Sequence, residues 1–179
     1  MTKAYTTEQE TETELDEPEV SVNVKSYMTP AGFATLQNEM RILIRDDRPK
    51  VVEIVTWAAG NGDRSENGDY LYGKKRLREI DRRLRYLTKR LESAEVVDPR
   101  KQQGLDKVFF GATVTYAHAN STEHTVTLVG PDEADLSKGK ISWLSPVASA
   151  LLKSQVGDTV ELRTAAGHEV LEVLSISYK

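Results

Sequence analysis

The sequence predicts an α+β protein: an antiparallel α-helical coiled-coil hairpin, then a small antiparallel β-sheet domain with one short helix. Three observations predict it. Leu77, Ile80, Leu84, Leu87, Leu91 and Ala94 recur at alternating spacings of 3 and 4, the period of a coiled-coil seam. Asn61-Gly62 supplies turn chemistry before that run, and another apolar run lies on its far side. Beyond Asp98-Pro99 the helical period is lost, and short β-prone runs alternate with Gly, Pro, Asn or Asp.

Residues 1–26 are rich in Thr and Glu and hold few large apolar side chains. Such a segment cannot offset its ordering entropy and is expected to be a disordered acidic tail. The hairpin is expected over 27–98, opening at Thr29-Pro30, a cap residue followed by proline at the first helical position. Phe33, Leu36, Met40 and Leu43 form the first apolar face, which Val51, Val55 and Ala58 continue. Pro49 lies between these two groups and should kink the helix or break it in two. The seam of the second helix extends back to Gly73 and Tyr70. Two long helices joined by a short turn fold back on each other. Arms of about 28 residues, at about 1.5 Å each, reach roughly 40 Å, with residues 61–70 at the tip. The C-terminal domain, 105–179, reads as strands over 108–116, 124–129, 140–144, 159–163 and 169–177. A short helix start falls at 146–152, and Ala165-Ala166-Gly167 turns between the last two strands.

The chain of 179 residues is long enough for one ordinary domain or two small ones. It has no apolar run of about 18 residues and no basic-then-apolar leader, so neither a membrane partner nor export is expected. It has no cysteine, which agrees with a reducing cytoplasm, its expected location. The net charge of −4 conceals an uneven distribution. Residues 1–27 hold seven acids (Glu8, Glu10, Glu12, Glu14, Asp16, Glu17, Glu19) against Lys3 and Lys25. Lys74 to Arg90 holds nine bases against Glu79 and Asp81.

The chemistry concentrates at the tip, where Asp63, Glu66 and Asp69 fall within seven residues. Two readings are open. Asp63-Arg64-Ser65-Glu66 fits a capping box, with Asp69 adding a favourable charge near the helix N-terminus. Alternatively, Asp63 and Glu66 offer oxygen ligands to a hard cation such as Mg²⁺, which takes few carboxylates and keeps its waters. Two carboxylates would hold that ion weakly, so no stable metal is expected on the isolated chain; a partner site already carrying metal and phosphate is needed. Lys75, Arg78, Arg82, Arg85 and Lys89 form one stripe at spacings of 3 and 4, while Arg76, Arg83 and Arg90 repeat every seven residues. Like charges at i, i+4 oppose helix formation, so the single-sign stripe indicates either a solvated face or an anionic partner such as RNA or DNA phosphate. Few aromatics interleave it, which favours backbone tracking over base stacking. His118, His124 and His168 lack metal-ligand spacing, and neither a nucleophile triad nor a phosphate-binding glycine loop is present. A self-contained enzyme is therefore not expected.

The stretch from Gly62 to Tyr70, with Val55 to Ala59 before it and Lys74 to Thr88 after it, resembles the bacterial Gre transcript cleavage factors. Arg64 and the densely basic second helix resemble the GreB type. Lys107 to Ala112, Ser145 to Lys153 and Val156-Gly157-Asp158 are similar to that family's C-terminal domain, so the likeness spans about 27–179. Gly68 stands where the family usually has Ala, which should loosen the first helical turn by up to about 1 kcal/mol, and the acidic tail has no counterpart. The resemblance implies an FKBP-like C-terminal domain that docks at the rim of the RNA polymerase secondary channel, into which the coiled coil reaches. It implies that Asp63 and Glu66 act catalytically there, helping to hold the polymerase's second Mg²⁺ and position the attacking water. Ser65, Asn67, Asp69 and Tyr70 would support the tip, and the stripe would hold the 3′ end of the nascent RNA. The implied protein is a monomeric accessory factor with RNA polymerase as its partner. The alternatives are a paralogue that occupies the channel without cleavage, and a chaperone-like peptide binder using the β domain.

Overall fold

The computed structural model of the protein describes residues 26–61, 67–165 and 167–179. The N-terminal part consists of strand β1 (Ser26–Met28), helix α1 (Pro30–Ile42), a π-helical turn (Leu43–Asp47), helix α2 (Arg48–Ala59) and helix α3 (Gly68–Glu92), then strand β2 (Ala94–Val96). Thr29 caps α1 as the sequence indicates, its hydroxyl accepting the Gly32 N–H at 3.1 Å. Pro49 does not break the helix. It has no N–H to give the Arg45 carbonyl, and its ring would collide with that group in an α-helix. The π-turn relieves both problems: the Arg48 N–H bonds to the carbonyl of Leu43, five residues back, and the backbone stays helical through the proline.

The helices meet along the expected seam. Met28, Leu36, Leu43, Ile80 and Leu87 are buried together, with Phe33, Met40, Val51, Leu84 and Leu91 packed against them. Ala94 shares this cluster but lies beyond the helix, which ends at Glu92. Toward the tip, a Cβ on Gly73 would stand 2.5 Å from Val55 Cγ2, so glycine lets α2 and α3 approach there without displacing that side chain.

At the open end, β1 pairs in parallel with β2 from Ser26↔Ala94 to Met28↔Val96. This clasp was not foreseen. Ser26, assigned to the tail from sequence, opens β1, and residues 1–25 lie outside the described residues.

The C-terminal part is a five-stranded sheet in the order β5-β4-β3-β7-β6, built from β3 (Thr113–His118), β4 (Glu123–Val129), β5 (Lys140–Ser142), β6 (Thr159–Thr164) and β7 (Gly167–Ser177). Helix α4 (Pro146–Leu151) is capped by Ser145. Val114, Leu128, Ala148, Leu151, Leu171 and Val173 form the centre of its core. The expectation of a purely antiparallel sheet is corrected, because β4 and β5 run parallel. Two 3₁₀ turns between them, Pro131–Glu133 and Leu136–Lys138, return the chain so that β5 enters in the direction of β4. The strand expected from residue 108 starts only at Thr113, since Gly111 at φ +85° interrupts the extended run. Of the turn expected at Ala165-Ala166-Gly167, Ala166 lies outside the described residues.

The turn Pro131–Glu133 joins the two parts. Asp132 accepts a hydrogen bond from the Tyr86 hydroxyl and, at 2.8 Å, one from Arg90 Nε. Arg90 is 6% exposed. Burial, then the bond to Asp132, raises the Tyr86 pKa above its ordinary value, so the hydroxyl remains a donor at neutral pH. Glu133 accepts the Thr29 N–H at 3.0 Å and the Thr29 hydroxyl, placing a carboxylate on the N-terminus of α1. The Tyr27 ring adds contacts to Phe110 and Trp143, with centroids 5.5 and 5.1 Å apart.

Gly73→Ala should lower stability by about 1–3 kcal/mol despite its better helix propensity, whereas Gly68→Ala, with open space around its Cβ, should gain up to about 1 kcal/mol. Thermal unfolding of both variants checks this, and a neutral Gly73→Ala would contradict the close approach. Asp132→Ala should cost about 3–5 kcal/mol by leaving Arg90 buried without a counter-charge. Denaturant titration measures it, and an unchanged midpoint would show the joint to be dispensable.

Candidate functional site

The two helices are braced just below the tip by one side chain. Asn67, in extended conformation, is the N-cap of α3. Its Oδ1 accepts the Tyr70 N–H at 3.2 Å, and its Nδ2 donates to the Ala58 carbonyl near the end of α2 at 2.8 Å. The capping-box reading of Asp63 is corrected here: α3 starts at Gly68, four residues too late for Asp63 to be its cap. An amide can accept from one helix end and donate to the other; a carboxylate, having no donor, cannot.

Asp63, Ser65 and Glu66, together with Gly62 and Arg64, lie outside the described residues. Asp69 is exposed in the first turn of α3, where its charge favours the helix N-terminus. Tyr70 is half-buried, and Lys74 Nζ lies 5.4 Å from its ring centroid. Among the described residues no group of three or more His, Cys, Asp or Glu is placed to hold a metal ion. Asp63 and Glu66 are of the hard-oxygen type that suits Mg²⁺, and as a pair they provide an incomplete set.

The basic helix sorts its cations into two classes. Lys75, Arg78, Arg82, Arg85 and Lys89 are all exposed along one stripe. Lys75, Arg82, Arg85 and Lys89 make no ion pair with another described residue. The heptad series is internal wiring instead. Arg76 pairs with Glu79 at 3.1 Å, Arg83 chelates Glu39 across the hairpin at 2.7 and 2.8 Å, and Arg90 holds Asp132. Glu39 holds Arg83 above its ordinary pKa, chiefly through that hydrogen bond.

Other groupings escaped the sequence reading. His118 on β3 and His124 on β4 stand with ring centroids 5.1 Å apart, brought together by the hairpin register Tyr116↔His124. Near the tip, Ile54 (50% exposed), Trp57 (65%), Leu71 (50%) and Tyr72 (72%) present large apolar surface to water. Counting the stripe back from Lys75 by one more step of 3 or 4 reaches Tyr72 and Leu71, a signal already present in the sequence.

Comparison with known proteins adds a family relationship. Residues 26–96 match the family described as "Transcription elongation factor, N-terminal", and residues 101–178 match "Transcription elongation factor, GreA/GreB, C-term". A transcription elongation factor GreB of Neisseria meningitidis serogroup A is 55% identical over 159 residues, covering 89% of this chain and 98% of that protein. The GreB of Yersinia pestis is 48% identical over 155 residues, covering 86% and 90%. A Thermus thermophilus structure, GreA factor homolog 1, matches 86% of this chain and 99% of its own at 23% identity with a TM-score of 0.40.

Replacement of Asn67 separates its two bonds. Asn67→Ala should cost about 1–2 kcal/mol, while Asn67→Asp should keep the cap and lose only the tie to Ala58. Amide exchange at Tyr70 reads the cap directly. Equal protection in Asn67→Ala and the wild type would contradict the assignment.

Proposed function

This chain belongs to the GreA/GreB family of transcription elongation factors and is of the GreB type, and from that membership we propose that its helical hairpin enters the secondary channel of RNA polymerase. There it stimulates endonucleolytic cleavage at the 3′ end of nascent RNA in backtracked or arrested complexes. It is an accessory factor working in the cytoplasm, and the reaction belongs to the polymerase.

The observation carrying this reading is the division of the basic helix. Arginines that build the fold are consumed by Glu79, Glu39 and Asp132, while Lys75, Arg82, Arg85 and Lys89, exposed and without an ion pair to another described residue, form a row along the same helix. A phosphate backbone lying along that row would be led to the segment that carries Asp63 and Glu66. These carboxylates would complete the ligand set of a Mg²⁺ that the polymerase also holds. That ion, when bound, lowers the pKa of its water and stabilises charge on the scissile phosphate. Asp63 and Glu66 would orient the attacking water, and Ser65 would support them. The Asn67 brace ties the start of α3 to the end of α2, the two helix ends that flank this segment. Asp69, already serving the N-terminus of α3, supports the tip. The sheet domain rests on the channel rim.

The variant Asp63→Ala/Glu66→Ala should abolish stimulated cleavage in a stalled, backtracked elongation complex while leaving polymerase binding nearly unchanged. Cleavage at the wild-type rate would sink the mechanism. A wild-type protein that binds polymerase and gives no cleavage would establish a channel-occupying inhibitor in its place.

A further inference from the structure

We propose that Tyr72 is a base-stacking residue for single-stranded RNA, the tipward end of a track whose phosphates follow Lys75, Arg78, Arg82, Arg85 and Lys89. The inference rests on the reading of that stripe as an RNA contact and adds to it a specific site for a base. Tyr72 lies three residues before Lys75, so it occupies the same face of α3 one helical turn nearer the tip. One turn is about 5.4 Å, comparable to the distance from a base to its own phosphate. Tyr72 is 72% exposed.

The other tyrosines of this helix show what an intramolecular role looks like. Tyr70 is half-buried under Lys74, and Tyr86 spends its hydroxyl on Asp132 while Arg83 lies 5.0 Å from its ring centroid. Tyr72 has no hydrogen bond, ring contact or cation contact with another described residue. An exposed aromatic face beside a row of cations combines the stacking and backbone contacts that bind single strands without regard to sequence. Leu71, 50% exposed on the adjoining step, widens the apolar shelf. Charge separates this ring from the other exposed aromatic among the described residues, Trp57. Trp57 is 65% exposed at a similar height on α2, but α2 carries no base after Lys50, so nothing there would hold a phosphate.

The test titrates the full-length protein with a single-stranded RNA octamer carrying 2-aminopurine, whose fluorescence is quenched by stacking. Tyr72→Ala should weaken binding by about 5- to 150-fold and abolish the quench. The slope of log affinity against log salt should not change, because no phosphate contact is lost. Tyr72→Trp should restore both affinity and quench, and Trp57→Ala should leave them as they are. Arg82→Ala/Arg85→Ala should reduce both affinity and salt slope. If that stripe variant weakens binding while Tyr72→Ala binds and quenches like the wild type, the stacking site is overturned and the track stands. If neither the stripe variant nor Tyr72→Ala alters RNA binding, the track itself fails and the stacking site with it. Loss of polymerase binding in Tyr72→Ala, with RNA binding intact, would make the ring a protein contact and overturn the proposal.

Discussion

The arrangement of the whole molecule depends on two adjacent carboxylates in one 3₁₀ turn. Asp132 grips α3 through Tyr86 and Arg90, and Glu133 grips the start of α1 through Thr29. Each contact alone is an ordinary polar bond. Together they hold both arms of the hairpin at its base against the sheet, and the buried Arg90–Asp132 pair makes that attachment costly to open. Tyr27, on β1 of the β1–β2 clasp, adds ring contacts to Phe110 and Trp143 of the C-terminal part. Such a root matters for a long arm, since a small angular error there grows with distance along it.

Much of this was legible from residue types alone. The seam from Leu77 to Leu91 survives in three dimensions because a long run of one period leaves a helix pair few other ways to bury its apolar face. The Thr29-Pro30 start and the α4 start were readable because capping is local. What escaped was non-local. Arg76, Arg83 and Arg90 look in sequence like more of the basic surface, yet the partners of the last two lie 44 and 42 residues away. The parallel entry of β5 is set by two short turns whose combined geometry no periodicity records. Asn67 was read as tip support, but its bond to Ala58 depends on the hairpin having already closed. Asp63 and Glu66 are expected from motif and resemblance and lie outside the described residues, while α3 beginning at Gly68 removes the reading of Asp63 as that helix's cap.

The sorting of cations on α3 also shows how one helix serves two demands. Seven-residue repetition places arginines beside the seam, where carboxylates of the fold can reach them. Lys75, Arg82, Arg85 and Lys89, offset from that series, make no ion pair with another described residue. Position on the helix, and not residue type, thus decides which charges the fold uses.

The π-turn at Leu43–Asp47 has a consequence for aim. Apolar contacts along the first arm fall at Leu36, Leu43, Val51 and Ala58, steps of seven, eight and seven residues. In an unbroken α-helix the extra residue would rotate everything beyond it by about 100°, swinging Val55 away from Gly73 and twisting the end of the arm out of register with its mate. The wide turn takes in one additional residue and hands the helix on in its original phase. Pro49 is therefore less an interruption than a lock on that correction, fixing the rotational setting with which the arm reaches its far end.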